Sequence, residues 1–272
     1  MKIKKVMKEE LLFIKSFKLA KSNLNKTGLM VLFDALFFIS FVYILPILNL
    51  YINQNITPPE TFSSNFILTA FILIIMLLKL IYYLIILFVY SFFKYSILDF
   101  IKSLFSKTKF SFNRLGQFYV LNIIIAGIFF AIMLLLSFIL ENVKLSYRPF
   151  VFIFMAIPFL LFLYVVINVS HSLFYQGSSM KDSIKNGFKI TFAKIRIYRE
   201  TILIIILAAL LLWLLFLGSG YLIRFIANKN YNLYLSAYAY FKQSSIIVFD
   251  IVFYLVILIN RISFYAIIRE NK

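Results

Sequence analysis

The chain has no cysteine among its 272 residues, only one histidine, His171, and 10 acidic residues against 28 basic ones. Without cysteine there is no disulfide framework, thiolate nucleophile or iron–sulfur ligand set, and a single histidine removes every metal motif that needs two. The acids that fall outside the apolar runs, among them Glu9, Glu10, Asp99, Asp182, Glu200 and Glu270, are scattered among lysines rather than clustered. That scatter offers no paired carboxylates for proton transfer or metal holding. Glycine and proline are also scarce, at seven and five residues. The one Gly-x-Gly, Gly218-Ser219-Gly220, sits inside an apolar run with no continuation of a nucleotide-binding loop. The sequence therefore implies no enzyme, no catalytic residue, no metal and no cofactor.

What is present in abundance is apolar surface. Hydrophobic residues make up 63% of the chain and charged residues 14%, with a mean hydropathy of +0.97. A soluble domain carries roughly a quarter of its residues charged, so this composition requires lipid as solvent. A helix rising 1.5 Å per residue needs about 20 apolar residues to cross a hydrocarbon core of about 30 Å. Six segments qualify, approximately 28–51, 65–93, 118–140, 149–173, 201–223 and 244–265. Continuous apolar runs without ten-residue alternation point to helices rather than a β-barrel. The fold class is all-α: a polytopic membrane protein of about six transmembrane helices.

Orientation follows from charge. Of the 28 lysines and arginines, 22 fall in the N-terminal arm, the second and fourth connections and the C-terminal end, and Lys79 lies within the second span. The positive-inside rule then puts both termini in the cytoplasm and the chain in the cell membrane as a multi-pass protein. The basic N-terminal arm has no apolar core ending in small residues and does not read as a cleaved signal. In this setting the net charge of +18 reports loop orientation and attraction to anionic headgroups rather than nucleic acid. The sequon Asn55-Ile56-Thr57 is followed by Pro58 and is treated as background.

Short basic segments with related letters precede the odd-numbered spans: Ile14-Lys15-Ser16, Ile101-Lys102-Ser103 and Ile184-Lys185-Asn186. Their order predicts one integral domain, 1–272, of three parallel hairpin units near 1–93, 94–175 and 176–272, each introduced by a cytoplasmic amphipathic helix. In the third copy Met180, Ile184, Phe188, Phe192 and Ile195 recur at helical spacing, with Lys181, Lys185, Lys189, Lys194 and Arg196 on other faces. This predicts a helix lying on the inner leaflet, its apolar face in lipid and its cations toward anionic headgroups or a cytosolic protein partner. Ser96 with Asp99 and Ser179 with Asp182 have the spacing that closes a first helical turn.

Intramembrane ionisable and amide residues are the remaining candidates, because a charge near the bilayer centre costs about 2.5–3.5 kcal/mol. They are Lys79, Asp250, Asp34, His171 and Asn168, with Asn122 and Asn260 at similar depths. Estimated depths allow Lys79 to pair with Asp250 and Asp34 with His171. Such pairs would fix helix order or line a polar path.

The segment SMKDSIKNGFKITFAKIRIYRETILIII, with the six-span order, resembles the six-span family named as the glycerophosphoryl diester phosphodiesterase membrane domain. The resemblance implies a six-helix membrane module. In that family hydrolysis belongs to a separate soluble domain whose histidines this chain lacks, so no catalytic residue carries over. The function expected is that of a non-enzymatic membrane scaffold or a lipid- or envelope-associated component. The alternative is a small transporter or channel subunit.

Overall fold

A computed structural model describes residues 11–44, 46, 47, 50, 65–193, 195–226 and 231–270. The described residues form eight α-helices: α1 (Leu12–Ser22), α2 (Leu24–Ile39), α3 (Asn65–Ser103), α4 (Phe112–Glu141), α5 (Arg148–Tyr175), α6 (Met180–Ala193), α7 (Ile195–Ile226) and α8 (Tyr231–Glu270). A π-helical turn, Ser40–Ile44, continues α2. It stops just before Pro46, which has no amide hydrogen to give to a carbonyl four residues back.

Among the described residues six segments are long and apolar enough to cross a membrane: Leu24–Tyr43, Thr69–Ser103, Phe112–Glu141, Arg148–Tyr175, Tyr198–Ile226 and Tyr234–Glu270. Much of their apolar surface points outward, as at Phe130, Leu135, Phe138 and Phe154. Exposure on this scale exceeds what water-facing domains carry and suits acyl chains.

The chain divides into two compact units, residues 23–188 and residues 1–22 with 189–272. These boundaries differ from the three-hairpin division near 93 and 175. The three basic tripeptides also occupy different settings. Ile14-Lys15-Ser16 lies within α1, Ile184-Lys185-Asn186 within α6, and Ile101-Lys102-Ser103 forms the last residues of α3. The second basic segment is therefore no separate surface helix. Nothing between Phe93 and Ser103 breaks a helix, and Tyr95, Ile97, Leu98 and Ile101 are buried there.

In the unit of residues 23–188 aromatic contacts join successive helices. Phe33 packs against Phe93 and Phe100 with centroids at 6.1 and 5.3 Å. Phe88 meets Tyr119 edge-on at 5.5 Å, and the Tyr119 hydroxyl donates to the Leu84 carbonyl at 3.1 Å. Phe129 on α4 contacts Phe159 and Phe162 on α5.

The helix ends explain several cations. A helix C-terminus leaves unpaired carbonyls and a partial negative charge, which basic side chains satisfy. Lys26 Nζ donates to the Ser103 carbonyl at the end of α3, 2.6 Å away. At the end of α5, Arg114 Nη1 donates to the Phe174 carbonyl at 3.2 Å and Lys102 Nζ to that of Tyr175 at 3.5 Å. The two cations also lie over the Phe174 and Tyr175 rings. Gly177, at φ 101°, completes the stop. Its amide donates to the Phe174 carbonyl and that of Ser178 to the Leu173 carbonyl, the pairing that left-handed backbone at this position permits. At the far end of α4, Arg148 donates to the Val143 and Glu141 carbonyls, each at 2.9 Å.

The other unit packs α1, α7 and α8 together. Small residues set the distance: Ser16 and Ala20, one turn apart on α1, are buried, and Ser263 Oγ donates to Ser16 Oγ at 2.9 Å. The Glu200 carboxylate accepts from the Phe13 amide at 3.1 Å, capping α1 from a different helix. Removing a capping oxygen costs about 1 kcal/mol. Glu200→Ala is therefore expected to speed hydrogen exchange at the start of α1 about fivefold, read by mass spectrometry, while exchange in α4 stays unchanged.

Candidate functional site

Three polar regions result. The first lies inside residues 23–188, where α3, α4 and α5 each supply polar residues from apolar stretches. His171 is fully buried, and its Nε2 lies 2.7 Å from Asn122 Oδ1. Asn122 Nδ2 donates in turn to Ser91 Oγ at 2.9 Å, and Ser91 donates to the Leu87 carbonyl at 2.6 Å. Asn168 is buried one turn away and donates to the Tyr164 carbonyl. Phe118 closes over the imidazole with centroids 4.6 Å apart. His171 Nδ1 and the neighbouring Ser170 Oγ are buried without a hydrogen-bond partner among the described residues. A buried chain of this kind rigidifies the helix contact where its members are satisfied and concentrates cost where they are not.

This corrects the expected Asp34–His171 pair. His171 Nε2 is hydrogen-bonded to the Asn122 side-chain oxygen on α4 instead, and Asp34 is half-buried on α2. Lys79 is exposed on α3 in the first unit, and Asp250 is exposed on α8 in the second.

The second region is the turn after α3. Asp99 accepts from the Tyr175 hydroxyl and, at 3.3 Å, from Thr108 Oγ1. Ser96 lies inside α3 and donates back to the Phe92 carbonyl, so the capping role expected of Ser96 with Asp99 does not occur. Their helix begins some thirty residues earlier, at Asn65. The matching pair behaves as expected: the Asp182 amide donates to Ser179 Oγ at 3.1 Å, and Ser179 Oγ to Asp182 Oδ2 at 2.7 Å.

The third region is α6. Its buried stripe is Ser183, Gly187 and Thr191, and Phe192, of the apolar face expected to meet lipid, is 72% exposed. The reason is steric. A Cβ at Gly187 would stand 2.0 Å from Ser170 Oγ on α5, so only glycine lets the helices cross this closely. Phe188 reaches over the crossing to stack on Phe129, centroids 6.1 Å apart. Lys181, Lys185 and Lys189 are exposed at every fourth position, two residues out of phase with the docked stripe. Two residues turn a helix by about 200°, which puts the lysines on the side opposite the contact. Lys194 and the side chain of Arg196 lie outside the described residues.

Among the described residues no cluster of three or more metal-ligating side chains occurs. The small-residue stripe at four-residue spacing was the sequence signal for the docked face of α6. Asn122 was visible as a polar residue at the right depth, but not as the partner of His171. No family model, curated protein or solved structure matched the chain.

Proposed function

We propose that this is a non-enzymatic membrane component with both termini cytoplasmic, which uses the outward face of α6 to hold anionic headgroups or to seat a soluble partner at the membrane. The observation that carries this reading is the phase of α6: a buried stripe of small residues, with Gly187 against Ser170 of α5, and three exposed lysines on other positions. Each lysine near an anionic surface contributes about 1 kcal/mol. The polar core supports it too, since Asn122, Ser91 and Asn168 are spent on helix–helix and helix-turn hydrogen bonds. The resemblance to the six-span membrane domain of the phosphodiesterase family accords with a module that does no chemistry of its own.

A small transporter or channel subunit is the second reading. It is favoured by the buried, partnerless Nδ1 of His171 beside Ser170 Oγ, atoms that a passing polar solute could use.

The absence of cysteine makes the α6 test direct. Phe192→Cys, carrying a fluorophore, is expected to be quenched more by spin-labelled phosphatidylglycerol than by spin-labelled phosphatidylcholine in vesicles. The preference should fall in Lys181→Gln/Lys185→Gln/Lys189→Gln and in high salt. Equal quenching by both lipids in the protein with its lysines intact would rule out the headgroup role.

A further inference from the structure

Between α7 and α8, at the end where they turn, lies a continuous open recess. One part, of about 410 Å³, runs between Trp213 and Phe249, and a second, of about 280 Å³, shares Phe216, Leu217, Tyr238 and Phe241 with it and reaches Arg224. Gly220 lines the smaller part, where α7 carries no side-chain bulk. A Cβ at Gly220 would touch only the Phe241 ring edge, at 3.5 Å. The deep end is aromatic, Phe216 facing Phe249 with centroids 6.4 Å apart. Lys242 lines the larger part together with Trp213 and Phe249, Arg224 and Tyr221 line the smaller part, and Tyr238 lines both.

The charge is of one sign: the described lining residues include two cations and no acid. Because Gly220 lies opposite Phe241 on the antiparallel helix, Lys242 and Arg224 are separated by about five residues, or about 8 Å of axial rise. Lysine and arginine stems run along apolar surface over such lengths, so both charged ends can reach one phosphate between them. An apolar trough with one cation in each part and two phenols complements an amphiphile with an anionic head and a hydrocarbon tail.

We propose that this recess binds an anionic phospholipid, its phosphate held by Arg224 and Lys242 and one acyl chain lying along Trp213, Phe216 and Phe249. The site is independent of α6, and its readout does not involve the α6 lysines.

Trp213 is the chain's only tryptophan and lines the trough, so its fluorescence reports occupancy directly. The full chain would be reconstituted in phosphatidylcholine vesicles containing, in turn, phosphatidylglycerol or phosphatidylcholine with brominated acyl chains. The expected result is stronger quenching by brominated phosphatidylglycerol, with a preference of at least about tenfold in apparent affinity for two cations near one phosphate. Arg224→Gln/Lys242→Gln should abolish the preference while brominated phosphatidylcholine quenches as before. Equal quenching by the two lipids in the unaltered protein would overturn the site, as would a preference that survives in the double variant. Absence of quenching by either lipid would mean that protein, such as a second copy of the chain, covers the recess, and would overturn it equally.

Discussion

Replacing Asn122 with leucine is expected to lower the stability of the detergent-solubilised protein by about 2–4 kcal/mol, read as the shift of its unfolding transition. Asn122 serves two buried partners at once, His171 Nε2 at 2.7 Å and Ser91 Oγ at 2.9 Å. Ser91 keeps its bond to the Leu87 carbonyl, so its loss is partial. His171 would be left with neither ring nitrogen satisfied by the described residues, in a position with no exposure. An unsatisfied buried group bears its whole desolvation penalty, whereas removing both members of a pair is often close to neutral. Asn122→Leu/His171→Leu should therefore recover most of the loss. An unchanged transition in Asn122→Leu would mean that the bond does not hold α4 to α5. A double variant that regains stability but abolishes a solute flux seen in liposomes with the unaltered protein would move the functional assignment to the transporter reading.

Gly187→Leu should be of similar size, about 2–3 kcal/mol, because the α5–α6 crossing has no room for a side chain. Even a single Cβ would lie 2.0 Å from Ser170 Oγ and 3.2 Å from Ser170 Cβ. Alanine is the more informative substitution. It gains about 1 kcal/mol of helix propensity over glycine, so the clash and the gain oppose each other, and the partner residue decides the sign. Ser170→Ala removes the atom at 2.0 Å and also a buried hydroxyl with no partner. Alone it should be neutral or stabilising, and with Gly187→Ala it should restore stability to near that of the unaltered protein. Strictly additive effects in this cycle would contradict a direct Gly187–Ser170 contact.

The six apolar helices were legible because a membrane span is a property of consecutive residues, and no neighbour is needed to recognise one. The errors fall where a neighbour decides. Lys94, Asp99 and Lys102 make the stretch after Phe93 look like a surface segment. In the folded chain Tyr175 and Thr108 occupy Asp99, the Tyr175 carbonyl occupies Lys102, and α3 continues through to Ser103. In α6, the helical spacing of apolar residues marks Met180, Ile184 and Phe188 for the lipid-facing side but gives no sign that Ser183, Gly187 and Thr191 form the buried stripe. Close helix approach rewards small volume over hydrophobicity, which a hydropathy count cannot register. For His171 the depth of candidate partners was readable, but Asp34 and Asn122 were both at plausible depths. Only the packing order of the helices chooses between them.

The cations at helix ends act at two moments in the life of the chain. In the proposed orientation, Lys26, Lys102 and Arg114 are hydrated charges while the protein is being made, and their resistance to crossing the bilayer fixes which way each hairpin enters. Once the hairpins meet, the same side chains become the partners of carbonyls at Ser103, Phe174 and Tyr175. The same positions thus serve both insertion and the finished fold. A basic residue that served only to orient the chain would do so from any place in its loop, whereas these bonds require the cation at these positions.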